Sequence, residues 1–182
     1  TTAVQNTFVG HAAGYNVTTG NNNTFIGYGA GDACTTGTPN TAVGIGAYGS
    51  GGAGGGAENV AIGNSVLALA DSGAFYNTAI GSTAGYDLTT GDYNVFVGRY
   101  AGTTTTTGGF NICIGASSRP SVATGEAQTV IGYNVAGAGF NTFAFGSGST
   151  VTSVGFGSAN WSGTSDERLK EDIKDEVVGL GF

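Results

Sequence analysis

The chain contains no methionine, one histidine, one tryptophan, two prolines and two cysteines in 182 residues, and only 9% of it is charged. Five basic residues against twelve acidic ones leave a net charge of −7, which argues against a nucleic-acid surface, because phosphate binding needs clustered Lys and Arg. No apolar run approaches the roughly 20 residues that span a bilayer, so membrane insertion is not expected. The opening TTAVQNTFVG enters directly into a repeat and has no basic n-region. The expectation is therefore no signal peptide here, in a chain that starts inside a longer shaft.

What the chain has is glycine, 36 residues of it, with 40% hydrophobic residues. It also has a repeat: NTFVG from Asn6, NTFIG from Asn23, NTAVG from Asn40, NVAIG from Asn59, NTAIG from Asn77, NVFVG from Asn94, NICIG from Asn111 and QTVIG from Gln128. The intervals are 17, 17, 19, 18, 17, 17 and 17 residues. A constant period of this length predicts a stack of similar coils in which each repeat buries its apolar face against its neighbours. The expected fold is all-β, a repetitive parallel β-roll or β-solenoid shaft.

With the repeat Asn numbered zero, position three is always Val or Ile and position one is Thr, Val or Ile. Strand alternation puts these two on one face, read as the interior of the coil. Position two, on the other face, is also apolar: Phe8, Phe25, Ala42, Ala61, Ala79, Phe96, Cys113 and Val130. A strand apolar on both faces must be covered on both. The expected cover is identical neighbouring chains, an intertwined or side-by-side homotrimer, with position two at the contacts. Gly at position four and the recurrent Ala-Gly and Thr-Thr-Gly suit corners, with two short strands and two turns per coil. The repeat Asn are expected to form an amide ladder that satisfies corner carbonyls. Ser50 to Ala57 and Val66 to Tyr76 break the pattern and are expected to bulge outward as loops. Cys34 and Cys113 lie five coils apart, roughly 24 Å at about 4.8 Å per coil. That is beyond disulfide reach, so both are read as buried small apolar residues.

The arrangement resembles the parallel β-roll heads of trimeric autotransporter adhesins, whose coils carry a similar Asn, apolar, Ala, Ile, Gly run; NVAIG from Asn59 is the nearest match. The likeness covers residues 6 to 146. From Asn141 the spacing shortens, and residues 147–164 are read as a tapering junction.

Charge then changes abruptly. Residues 1 to 165 hold two bases, Arg99 and Arg119, and six acids, whereas 166 to 182 hold three bases and six acids. The segment SDERLKEDI, Ser165 to Ile173, resembles the opening of the intramolecular chaperone that ends phage tail fibres, tailspikes and neck appendages. That resemblance implies chaperone-assisted trimerisation and one-time self-cleavage between Ser165 and Asp166, with Lys170 as the partner of Ser165. Residues 165–182 would then be the start of the chaperone domain. A serine needs a base, and a lysine serves only if burial or neighbouring cations depress its pKa; Arg168 and Lys174 are placed to contribute. The same segment also reads as an ordinary short carboxyl-terminal helix. Thr164 and Glu167 form a capping box, and Leu169, Ile173 and Val177 share one helical face.

Other signals are weak. GIGAYG, Gly44 to Gly49, matches a dinucleotide fingerprint without the strand-turn-helix context that gives it meaning. His11 has no partners at ligand spacing, and no cofactor or metal is expected. Tyr15, Tyr28, Tyr86, Tyr100 and Tyr133 are read as turn packing ahead of a sugar-binding surface. The expected function is a trimeric tail-fibre shaft of a virion that presents receptor-binding surfaces to a host cell, with a glycan among the candidate receptors. It would not be an enzyme apart from the single self-cleavage. The alternatives are a bacterial trimeric cell-surface adhesin and, further off, an ice-binding β-solenoid.

Overall fold

The computed structural model describes residues 2–49 and 54–157. Ten strands form one sheet in chain order: β1 (Thr7–Val9), β2 (Thr24–Ile26), β3 (Asn40–Val43), β4 (Asn59–Ile62), β5 (Thr78–Ile80), β6 (Val95–Val97), β7 (Ile112–Ile114), β8 (Gln128–Tyr133), β9 (Thr142–Ser147) and β10 (Thr150–Gly155). Strands β1 to β9 pair in parallel, each with the next, and every repeat position stacks on its own counterpart: Phe8 on Phe25, Ala61 on Ala79, Cys113 on Val130. The protein is a parallel β-solenoid of about eight turns with coils near 17 residues, and no helix occurs among its described residues.

Each coil contributes one strand where two were expected. The remaining path is a series of turns, because the chain passes through left-handed residues at three fixed phases. Immediately before the repeat Asn these are Gln5, Asn22, Glu58, Tyr76, Tyr93, Phe110 and Ala127; six residues after it come Ala12, Ser65, Thr83, Tyr100, Ser117 and Asn134; two further on stand Gly14, Gly31, Tyr48, Leu67, Gly85 and Gly102. Such a φ costs a non-glycine residue about 1–2 kcal/mol. Here it turns the amide toward the adjacent coil: Tyr93 N–H donates to Phe75 O, Phe110 N–H to Asp92 O, and Tyr100 N–H to Ser82 O, all near 3 Å. Coil-to-coil hydrogen bonding thus continues outside the strands and offsets the local strain.

The interior lies on the face opposite to the one expected. Position two is fully buried from β2 to β8, whereas Ile62, Ile80 and Ile131 at position three are each 39% exposed. The core is narrow and its volume is shared between positions two and eight. Where position two is Phe25 or Phe96, position eight is Gly31 or Gly102, and a Cβ there would overlap the ring. Where position two is Ala42 or Ala61, position eight is Tyr48 or Leu67, both buried. Over Ala79, Leu67 from the coil before and Phe96 from the coil after close on Gly85. Large residues therefore alternate with small ones to reach native packing density. A column of Val and Ile would not fit inside this cross-section, so it faces out.

Two further expectations are corrected. Val66 to Tyr76 is not an outward loop: Val66, Leu67, Ala68, Ala70 and Ala74 are buried core residues. Of the glycine-rich stretch, Gly54 and Gly56 are packed inside the stack, and residues 50–53 lie outside the described set. The shortened spacing after Asn141 also has a cause. Strand β9 pairs in parallel with β8 and then returns antiparallel as β10, Thr142 opposite Gly155, around a turn at Gly148. The hairpin replaces a further coil.

Candidate functional surface

The repeat Asn run through the core as one continuous polar line. From Asn40 to Asn111 each Oδ1 accepts the backbone N–H of the next rung at 2.9–3.1 Å. Each Nδ2 donates to a corner carbonyl near the end of its own repeat: Asn59 to Ala74, Asn77 to Gly91, Asn94 to Gly108 and Asn111 to Gly125, at 2.7–2.9 Å. Gln128 ends the line: its N–H donates to Asn111 Oδ1 at 3.1 Å, and its Oε1 accepts from Ser121 N–H of the preceding repeat at 3.0 Å. The expected amide ladder is present, and it satisfies backbone groups that the turns would otherwise leave unpaired. Its role is structural. Tyr48 joins it, its hydroxyl accepting from Asn59 Nδ2 at 3.2 Å, and burial raises that phenol well above its ordinary range.

Both cysteines are free and buried. Desolvation pushes the Cys34 thiol up to about 11 and that of Cys113 up to about 12. Buried neutral thiols of this kind are packing residues without nucleophilic character. Among the described residues no group of three or more His, Cys, Asp or Glu side chains is placed to hold a metal ion. Among the described residues no helix is long and apolar enough to cross a membrane. The Gly44 to Gly49 fingerprint leaves β3 for turns and opens no helix, so it has no phosphate-binding geometry.

Ser165, Asp166 and Lys170, with the expected helix around them, lie outside the described residues. The surface that is described is an outward sheet face made of positions one and three. Position three presents Ile26, Ile62, Ile80, Ile114 and Ile131 in one column, and position one a mixed column of Thr24, Val60, Thr78, Val95 and Ile112. No charged residue occupies either position in any repeat.

Next to this face in the chain, at the left-handed residue before the repeat Asn, stands a column of half-exposed aromatic rings. Tyr76 stacks on Tyr93 at 4.7 Å and Tyr93 on Phe110 at 5.0 Å, with planes within 13°. The Glu58 carboxylate beside Tyr76 raises its phenol pKa. The tyrosines singled out from sequence behave differently. Tyr15, Tyr28 and Tyr133 stand far out in solvent, Tyr28 stacked on His11 at 5.1 Å, and Tyr100 lies under the Arg99 guanidinium at 4.2 Å. The Tyr76 to Phe110 column was missed as a unit. Its signal was available as three aromatics in succession at the residue before Asn.

No family model, curated protein or solved structure matched the chain in comparisons with known proteins. What the fold and its surface define is a β-solenoid repeat protein.

Proposed function

We propose that this protein is a structural shaft of a virion appendage, a homotrimeric tail-fibre segment that holds receptor-binding surfaces away from the particle and toward a host cell. The observation that carries the reading is the unbroken axial register. Nine parallel rungs and one buried amide ladder link every coil to the next, so load along the axis is shared by many short hydrogen bonds. Repeat stacks of this kind are quasi-one-dimensional and suited to spanning distance. Strands that are apolar on both faces favour several chains over one.

The carboxyl-terminal motif completes the proposal. With Lys170 as base, the Ser165 hydroxyl gives up its proton and attacks the carbonyl carbon of the Ser165–Asp166 bond; the Asp166 nitrogen leaves as an amine carrying that proton, and water hydrolyses the resulting ester, once per chain after assembly. The work is maturation without turnover of an external substrate. The test is intact-mass measurement on a chain extended through a complete chaperone, wild type against Ser165→Ala and Lys170→Ala. A mature product ending at Ser165 in wild type alone supports the dyad. Equal cleavage in all three, or none in wild type, removes it.

A further inference from the structure

Long and short side chains alternate at the corner that follows the strand in three successive coils. The repeats of Asn94, Asn111 and Gln128 carry Arg99, Ala116 and Tyr133 at position five, and Tyr100, Ser117 and Asn134 at position six. Backbone bonds hold these positions over one another: Ser117 N–H donates to Arg99 O at 2.9 Å, and Asn134 N–H to Ala116 O at 2.8 Å. The middle coil thus presents only a methyl and a hydroxymethyl group between the longer side chains of its neighbours. The two walls stand two coil steps apart, about 10 Å from backbone to backbone, with a notch floored by Ala116 and Ser117 between them.

The charge of this notch is unlike that of the rest of the chain. Arg99 and Arg119 are the only Lys or Arg side chains among the described residues, and both are at the notch. The Arg99 guanidinium lies 4.2 Å from the Tyr100 ring centre, and its Nη2 donates to the Tyr100 hydroxyl at 2.8 Å. Arg119 stands at position eight, which belongs to the core in the coils of Tyr48 and Leu67, and its Nη1 donates to Ser117 O at 3.3 Å and to Asn134 Oδ1 at 3.1 Å. Each guanidinium is braced by neutral groups, has N–H donors to spare, and is paired with no carboxylate among the described residues. The six acids of residues 1 to 165 stand at other phases, none at positions five to eight of any repeat. Two fixed, unneutralised guanidinium forks make a site for an oxyanion.

The surroundings say which oxyanion. A net charge of −7 opposes a polyanion, so one carboxylate is favoured over a nucleic acid or a multiply charged phosphate. The Ser117 hydroxyl and the Asn134 amide nitrogen have no hydrogen-bond partner among the described residues and are free to meet hydroxyl groups. Tyr133, 64% exposed, offers an apolar ring with a polar tip. A carboxylate, several hydroxyls and an apolar face together are the chemistry of an acidic sugar.

We propose that the notch between Arg99 and Tyr133 binds one acidic sugar residue, its carboxylate held by Arg99 and Arg119, its ring against Tyr133 and its hydroxyls on Ser117 and Asn134. This rests on the reading of the protein as a shaft with receptor-binding surfaces and names the receptor chemistry. Residues 1–182 are titrated calorimetrically with methyl glucuronide, methyl glucoside and inorganic phosphate, with folding checked by circular dichroism. Methyl glucuronide is expected to saturate with a dissociation constant of about 1 mM, and the other two to bind at least about tenfold more weakly. Arg99→Gln and Arg119→Gln should each lose at least about tenfold in glucuronide affinity. Ala116→Tyr, which keeps both arginines and fills the notch, should abolish binding; it also decides the matter if Arg119→Gln does not fold. No glucuronide binding by wild type, equal binding of the glucoside, tighter binding of phosphate, or undiminished binding by folded Arg99→Gln or Ala116→Tyr overturns the proposal. Light scattering on the same sample separates the two readings: a monomer that binds keeps the site and removes the multi-chain shaft, and a multimer that does not bind does the reverse.

Discussion

Removing one rung of the amide ladder, Asn77→Ala, is expected to cost far more than its single side chain suggests. Asn77 is fully buried. Its Oδ1 accepts Asn94 N–H at 2.9 Å and Asn94 Nδ2 at 3.0 Å, and its Nδ2 donates to Gly91 O at 2.9 Å. Alanine leaves the Asn94 N–H and the Gly91 carbonyl without these partners, at about 1–3 kcal/mol each. Asn94 Nδ2 keeps its bond to Gly108 O, and Asn59 Oδ1 keeps the backbone N–H of residue 77. The sum is about 2–6 kcal/mol. The same change at Asn6, a half-buried first rung where water can substitute, should cost about 1 kcal/mol. Urea denaturation followed by circular dichroism measures the total. Because repeat stacks can open locally, amide exchange at Asn94 and its neighbours measures where it falls. If Asn77→Ala shifts stability by less than about 0.5 kcal/mol, or if exchange quickens evenly along the chain, the ladder does not hold the coils together.

The packing account separates backbone from volume. Gly29 and Gly31 share φ of +63°, but a Cβ on Gly29 meets nothing nearer than 3.7 Å, while one on Gly31 overlaps Phe25. Gly29→Ala should therefore cost about 1–2 kcal/mol, and Gly31→Ala a further 1–3 kcal/mol for overpacking, read as a lower urea midpoint. Thr105 occupies a core position filled by Val17, Cys34 and Leu88 in other coils, and its hydroxyl has no partner, so Thr105→Val should stabilise by about 1 kcal/mol. The raised thiol pKa values of Cys34 and Cys113 predict a fall in stability with alkali. Below pH 9 both folded and unfolded thiols stay protonated; above it the unfolded chain ionises first, so stability drops from pH 9 until about 11 to 12. Cys34→Ala with Cys113→Ala should flatten that part of the pH–stability curve, and alkylation of wild type at pH 8 should proceed only at the rate of unfolding.

The sequence by itself determined the period, the strand positions and the Asn ladder, because each follows from a residue recurring at a fixed interval. Asn at position zero and Val or Ile at position three can stack coil over coil in only one register. It also determined that Cys34 and Cys113 stay apart. Which face turns inward was decided by tertiary packing. Both strand phases are apolar, so alternation carries no sign. What sets the sign is the coil's narrow cross-section, filled by Phe against Gly or by Ala against Tyr and Leu, together with the buried Asn, which shares a side with position two. That pairing of positions two and eight was legible once Gly31 and Gly102 were set beside Phe25 and Phe96, and Tyr48 and Leu67 beside Ala42 and Ala61. The left-handed corners just before the repeat Asn were not legible, since Tyr76, Tyr93 and Phe110 are poor residues for a positive φ. They are held there by hydrogen bonds to the adjacent coil, which exist only when the coils are stacked.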